Sequence, residues 1–199
     1  MARDSVVNDF SGEFEEFAID REFPIVQSTS EDRSEYILLP PSGKKTTVET
    51  LKKLAQICPH GRDVQIVISD GLSARAVEAN VRDLLPMLEQ GLALEHITSG
   101  QPIVVRQGRV AIADQIAHAL EARVAINLIG ERPGLSSAVS LSAYITYAPG
   151  PQTISSDRTV VSNIHSAGTP ATEAGAYIVQ LVKRILELKM SGVRLQQQS

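Results

Sequence analysis

The sequence contains no tryptophan, and aromatic residues of all kinds make up only 4% of its 199 residues. A large flat ligand would therefore be held by backbone groups and aliphatic side chains rather than by stacking. A single cysteine, Cys58, excludes an intramolecular disulfide, and no cluster of cysteine and histidine has the spacing of a metal site. Both observations fit a reducing cytoplasm.

Basic residues are too few for a surface that binds nucleic acid. Nineteen lysines and arginines stand against 23 acidic residues, which gives a formal net charge of -4 without a basic stripe. No apolar run approaches the ~20 residues of a membrane-spanning helix, and the N-terminus lacks the pattern of a signal peptide. We therefore expect a cytoplasmic protein that binds neither nucleic acid nor a membrane.

The first 33 residues differ in composition from the rest. Acidic residues outnumber basic ones there, and the segment contains all four phenylalanines of the chain: Phe10, Phe14, Phe17 and Phe23. This composition fits a solvated tail and also a segment that orders against a partner. We assign residues 1–33 to an N-terminal acidic extension and residues 34–199 to the main domain.

Predicted strands and helices alternate along the main domain. The predicted strands are Tyr36–Leu39, Val64–Ser69, Pro102–Arg106, Val124–Ile129 and Tyr144–Tyr147, and the predicted helices are Thr47–Ile57, Ala74–Leu88, Ile112–Leu120 and Thr169–Met190. A polar loop is expected between Tyr147 and about His165. Alternation of this kind predicts an α/β fold, with a Rossmann-like parallel sheet and helices on both faces.

Ligands of open α/β sheets bind beyond the carboxyl ends of the strands. This rule selects three loops, at Ser69–Ser73, Gly108–Val110 and Gly130–Ser137. Neither the G-x-G-x-x-G fingerprint nor the G-x-x-x-x-G-K-[ST] loop is present, so the sequence gives little support to nucleotide binding.

Several polar residues of the loops allow both a structural and a functional interpretation. For Asp70 and Ser73 we slightly favour a role as caps of the following helix over ligand binding. For Glu131 and Arg132, in a turn bounded by glycine and proline, we favour ligand binding over a structural ion pair. The loop residue His165 is more typical of a hydrogen-bonding histidine than of a metal ligand.

Four separated blocks of sequence, in this order, carry a resemblance to a known family. They are Val67–Ser73, Gly108–Val110 with Asp114–Ile116, Leu128–Leu135, and a fourth block that runs from Asp157 and Arg158 to Ser162–His165. Together they resemble the small subunit of ethanolamine ammonia-lyase, and the Gly-Glu-Arg-Pro-Gly-Leu block is particularly specific. The resemblance extends from about Glu35 to Val193, whereas the first 33 residues do not match well.

The resemblance implies that adenosylcobalamin lies between this chain and a large subunit with a (β/α)₈ barrel. The large subunit would bind ethanolamine and convert it to acetaldehyde and ammonia by a radical reaction, so this chain has no catalytic residue of its own. Val110 and Glu131 match positions that contact cobalamin in the family. Val160 matches a third position, often cysteine in relatives, where this chain has no thiol. The resemblance leaves open whether the complex lies inside a bacterial microcompartment.

Two alternatives belong to other functional classes. The chain is either such an enzyme subunit or a cobalamin-binding or assembly module that has lost lyase activity. A stand-alone α/β hydrolase or phosphate-binding enzyme has the least support, because the G-x-S-x-G elbow and the phosphate-binding loops are absent.

Overall fold

Helices and strands alternate along most of the chain in a computed structural model, which describes residues 9–133 and 139–198. The strands are β1 (Ile25–Gln27), β2 (Val64–Ser69), β3 (Ile103–Arg106), β4 (Val124–Gly130), β5 (Leu141–Tyr147) and β6 (Arg158–Ile164). The helices are α1 (Gly12–Asp20), α2 (Arg33–Leu38), α3 (Val48–Ile57), α4 (Ala74–Leu94), α5 (Ile112–Ala119), α6 (Ala171–Leu188) and α7 (Val193–Gln196). None of the helices in these ranges is long and apolar enough to span a membrane.

The six strands form one mixed sheet in the order β1-β3-β2-β4-β5-β6. Strands β1, β3, β2 and β4 are parallel, whereas β5 is antiparallel to both β4 and β6. The expectation of a wholly parallel, Rossmann-like sheet is therefore wrong for β5, which pairs antiparallel with both of its neighbours. The connections 131–140 and 148–157 are shorter than the dozen or more residues that a parallel crossover requires.

Helices pack on both faces of the sheet. Alternate residues of the central strands, such as Ile66 and Ile126, point to one face, where α1, α4 and α6 cover them. The other residues, such as Val67 and Ala125, point to the face that α3 and α5 cover. Burial on both sides explains why β2 and β4 are almost continuously apolar.

The acidic N-terminal segment is part of this structure over residues 9–33. Phe10, Phe14 and Phe23 are buried in the same core as the sheet, and the rings of Phe10 and Phe14 stack with centroids 4.6 Å apart. Strand β1 pairs with β3. The interpretation as a solvated tail is therefore wrong for residues 9–33, because four phenylalanines supply enough apolar surface to hold an otherwise acidic segment against the sheet.

Two elements differ in type from the sequence prediction. Tyr36–Leu39, predicted as a strand, lies mostly in helix α2, which begins where the Asp32 carboxylate accepts a hydrogen bond from the Glu35 amide at 2.8 Å. The predicted polar loop before His165 contains β6, an edge strand that exposes much of its polar surface. Helix α4 ends at Leu94 rather than near Leu88.

Candidate functional site

The three loops that the sequence selects lie together at the carboxyl edge of β2, β3 and β4. They border a cavity of about 510 Å³, which we call the edge cavity. Its lining includes Leu72, Arg109, Val110, Gly130, Glu131 and Tyr144. Residues 134–137 of the third loop lie outside the described residues. Among the residues that the structure describes, no group of three or more potential metal ligands is present.

A buried carboxylate joins the first two loops. The side chain of Asp70 is fully buried and accepts hydrogen bonds from the backbone amides of Gln107 at 2.9 Å and Gly108 at 3.0 Å. It also accepts one from the Arg33 guanidinium at 3.1 Å. Burial raises the pKa of the Asp70 carboxyl to about 6, although Arg33 and the two amides act in the opposite direction.

Asp70 therefore connects two loops and does not cap a helix. The capping prediction is wrong for this residue. The cap is Ser73, whose hydroxyl accepts a hydrogen bond from the Ala76 amide at 3.2 Å. This half of the prediction is confirmed.

Gly71 allows the first loop to lie directly against the end of β4. Its backbone has a φ of +57°, and a Cβ at this position would collide with the carbonyl oxygen of Gly130. The adjacent Leu72 amide donates a hydrogen bond to that same oxygen at 2.9 Å. The close approach brings the first and third loops into one wall of the edge cavity.

The second loop is fixed by backbone hydrogen bonds on either side of Val110. The Arg109 amide donates to the Gly43 carbonyl at 2.7 Å, and the Asn127 side-chain amide donates to the Val110 carbonyl at 3.1 Å. The guanidinium of Arg109 lies over the Tyr36 ring, 4.3 Å from its centroid. Val110 thus lies in the cavity wall beside a fixed cation.

The Glu131 side chain belongs to the lining directly after the end of β4. Its carboxylate accepts a hydrogen bond from the Tyr144 hydroxyl at 3.0 Å. Burial raises the pKa of Tyr144 to about 12, and the neighbouring Glu131 carboxylate adds to the increase. No ion pair between Glu131 and Arg132 is found among the described residues, and Arg132 is exposed.

Val160 is near this site but does not line the cavity. It lies on β6, 45% exposed, and is paired with Tyr144 in the register of β5 and β6. Paired residues of an antiparallel ladder project from the same face of the sheet, so Val160 is the neighbour of a lining residue. The structure thus brings Val110 and Glu131 into one cavity and places Val160 at its border.

Comparison with known proteins agrees with the sequence blocks. The model of the ethanolamine ammonia-lyase light chain family (EutC) matches residues 1–196. The chain belongs to this family. Because the match begins at residue 1, it includes the acidic segment that the block comparison left out, so the limit placed at about Glu35 is wrong.

Two curated relatives have nearly full-length matches to this chain. The ethanolamine ammonia-lyase small subunit of Fusobacterium nucleatum subsp. nucleatum is 43% identical over 191 residues, which cover 96% of this chain and 64% of the relative. The protein of the same name from Clostridium perfringens is 43% identical over 194 residues, which cover 98% of this chain and 65% of the relative. The chain therefore spans slightly less than two thirds of the length of these light chains.

Sequence reasoning missed several residues around the edge cavity. Arg158, treated as part of a polar loop, lies on β6 and donates two hydrogen bonds to the buried Asp114 carboxylate of α5, at 3.1 and 2.5 Å. Tyr36, which was predicted in a strand, lines the cavity from helix α2, and Lys44 lines it from the turn that follows. These contacts join residues far apart in the chain, so no local pattern indicates them.

His165 has the hydrogen-bonding role that the sequence favoured. Its ring nitrogens contact Asn163 Oδ1 at 2.8 Å and the Ala167 amide at 3.3 Å, and its side chain is largely buried. It is not among the residues that line the edge cavity.

Proposed function

We propose that this chain is the small subunit of an ethanolamine ammonia-lyase and that its edge cavity binds part of adenosylcobalamin. A large subunit would bind ethanolamine and cover the rest of the cofactor. The observation on which the proposal depends is that Val110 and Glu131, on two separate loops, line the same cavity at the carboxyl edge of the sheet.

The chemistry of the lining fits such a cofactor. The corrin ring has broad apolar faces and a rim of amide side chains. Leu72, Val110 and Ile129 offer aliphatic surface, whereas the Glu131 carboxylate can accept hydrogen bonds from amides. The volume of about 510 Å³ lies within the usual range of ligand cavities and suits one part of this large molecule. The remaining surface of the cofactor would face the partner.

The proposal divides the reaction between the two subunits. Bound adenosylcobalamin supplies radical chemistry by homolysis of its cobalt–carbon bond. The residues of this chain bind and orient the cofactor through fixed loops, because Asp70 and Gly71 hold the lining in place. Deamination of ethanolamine would then occur on the large subunit, and the isolated chain would have no activity.

Replacement of Glu131 tests the proposed site. In a complex of this chain with the large subunit, we expect Glu131→Gln to weaken cobalamin binding by about tenfold, because a charged hydrogen-bond acceptor is lost. Dissociation constants from absorbance titration measure the effect. Glu49→Gln makes the same change of charge at an exposed position of α3 and should leave the affinity unchanged.

Turnover assays separate this proposal from its main alternative. An active complex and an inactive isolated chain would support the subunit role. Cofactor binding without ethanolamine turnover in the complex would instead indicate a cobalamin-binding module. Equal affinities of Glu131→Gln and the unmodified chain would rule out the edge cavity as the binding site.

A further inference from the structure

Two basic side chains of the edge cavity have no acidic partner in the part of the chain that the structure describes. Arg109 and Lys44 both line the cavity, and neither forms a salt bridge with any residue in the described ranges. The third basic residue of the lining, Arg158, is neutralised by Asp114. Glu131 binds the hydroxyl of Tyr144 instead of a cation. The side of the cavity formed by Arg109 and Lys44 is therefore positively charged.

The Arg109 guanidinium has a donor that no described residue satisfies. One terminal nitrogen donates to the Tyr36 carbonyl at 2.7 Å, whereas Nε is buried and has no hydrogen-bond partner in the described part of the chain. A buried donor without an acceptor costs about 1–3 kcal/mol, and more for a charged group. Because Nε is buried, a ligand in the edge cavity would contact Arg109 through its other atoms.

The turn that carries Lys44 packs against Arg109 at Gly43. A Cβ on Gly43 would lie 2.9 Å from Cγ of Arg109 and 2.8 Å from the Tyr36 ring. Only glycine therefore allows the turn Ser42–Lys44 to pack this tightly, and the hydrogen bond from the Arg109 amide to the Gly43 carbonyl fixes the contact. The fold thus places two cations in the lining of one ligand-sized cavity.

We propose that Arg109 and Lys44 bind the phosphodiester in the nucleotide tail of cobalamin, an inference that rests on the function proposed above. The phosphodiester carries a negative charge, whereas the corrin rim carries neutral amides. A guanidinium forms charge-assisted hydrogen bonds to phosphate oxygens, and a lysine adds a second positive charge. Glu131, on another part of the lining, suits amides. Contacts of the two cations with the phosphodiester and of Glu131 with amides would therefore fix the orientation of the cofactor.

Cobinamide provides the matched ligand for the test, because it retains the corrin ring and its amides but lacks the nucleotide tail with the phosphodiester. We would titrate the complex of this chain and the large subunit with cobalamin and with cobinamide and follow the absorbance of the corrin. The variants are Arg109→Gln and Lys44→Gln. Lys52→Gln, at an exposed position of α3, makes the same change of net charge away from the cavity.

We expect each of the two cavity variants to raise the dissociation constant of cobalamin about tenfold and to leave that of cobinamide unchanged. The unmodified complex should also bind cobalamin more tightly than cobinamide. Lys52→Gln should affect neither ligand. Lys44 is exposed, so Lys44→Gln remains informative even if Arg109→Gln disturbs the packing against Tyr36.

Equal weakening of both ligands, or of neither, would overturn the phosphodiester assignment. So would equal binding of cobalamin and cobinamide by the unmodified complex. If the unmodified complex binds neither ligand, the proposed function fails and this inference with it. The test thus separates a wrong contact from a wrong function.

Discussion

At the scale of single residues, Asp70 has the strongest structural role near the edge cavity. It is fully buried, and its carboxylate connects two loops and helix α2 through Gln107, Gly108 and Arg33. The sequence shows only an aspartate before a glycine, a pattern equally typical of a helix cap. The distinction depends on Gln107 and Gly108, which follow Asp70 by 37 and 38 positions in the chain. This separation explains why the sequence could not decide between the two roles.

The pKa of Asp70 leads to a prediction about pH. An unfolded aspartate has a pKa near 4, and burial raises the folded value to about 6, so the stabilisation from protonated Asp70 is complete below pH 4 and is lost as the pH rises to about 6. Relative to Asp70→Asn, which cannot ionise, the free energy of unfolding of the unmodified chain should fall by about 3 kcal/mol across this range.

Urea unfolding of both proteins between pH 4 and pH 8 measures this difference. The contributions of other titrating groups cancel when the two free energies are subtracted. A difference that is constant with pH, or one that grows in favour of the unmodified chain, would show that Asp70 ionises with an ordinary or lowered pKa.

At the scale of secondary structure, the buried strands were predicted well and the edges poorly. Strands β2 and β4 are almost continuously apolar, since helices cover both of their faces, and this leaves a clear signal in the sequence. Strand β6 exposes much of its polar surface, so its sequence is similar to that of a loop. The direction of β5 depends on the length of its connections more than on its own residues.

The candidate site was predictable to a similar extent. Val110 and Glu131 follow strands that the sequence identifies, and the rule for ligand sites in α/β sheets placed both at one edge. Lys44 could not be placed, because it lies in no predicted strand or helix, and Tyr36 was predicted in a strand although it lies in helix α2. Val160 belongs to β6, which the sequence did not indicate as a strand.

The ion pair between α5 and β6 gives a prediction at this scale. Arg158 and Asp114 are both more than nine-tenths buried. We expect Arg158→Met to lower the free energy of unfolding by about 3–5 kcal/mol, because the carboxylate of Asp114 would remain buried without its cation. Urea unfolding at pH 7 measures the loss.

The pair between Arg123 and Asp63 supplies the control. Its arginine is about half exposed, and the nitrogen–oxygen distance is 2.7 Å. Arg123→Met should therefore cost less than about 1 kcal/mol. Similar losses for the two arginine variants would show that the pair between α5 and β6 does not fix β6 in place.

At the scale of the whole molecule, the N-terminal segment belongs to the same hydrophobic core as the sheet. Phe14 is 1% exposed and contacts two further phenylalanine rings, with centroids 4.6 and 5.7 Å away. Strand β1 then extends the sheet beyond β3. A boundary at residue 33 therefore separates regions of different composition but not separate folding units over the described residues.

Truncation of a phenylalanine tests this integration. We expect Phe14→Ala to lower the free energy of unfolding by about 3–5 kcal/mol, because it leaves a cavity in the core. Phe17→Ala, at a partly buried neighbour in the same helix, should cost less. Urea unfolding with a single transition for each variant would confirm one cooperative unit, whereas a negligible loss for Phe14→Ala would indicate that the segment is peripheral.

The connection of two loops through Asp70 also affects the entropy of ligand binding. Backbone amides of one loop already donate to a carboxylate of the other, and Gly71 packs the first loop against the end of β4. A ligand that enters such a preorganised cavity loses its own freedom but does not have to immobilise these loops. Most of the free energy of the contacts between chain and ligand therefore contributes to affinity, because little of it is offset by the entropic cost of ordering the loops.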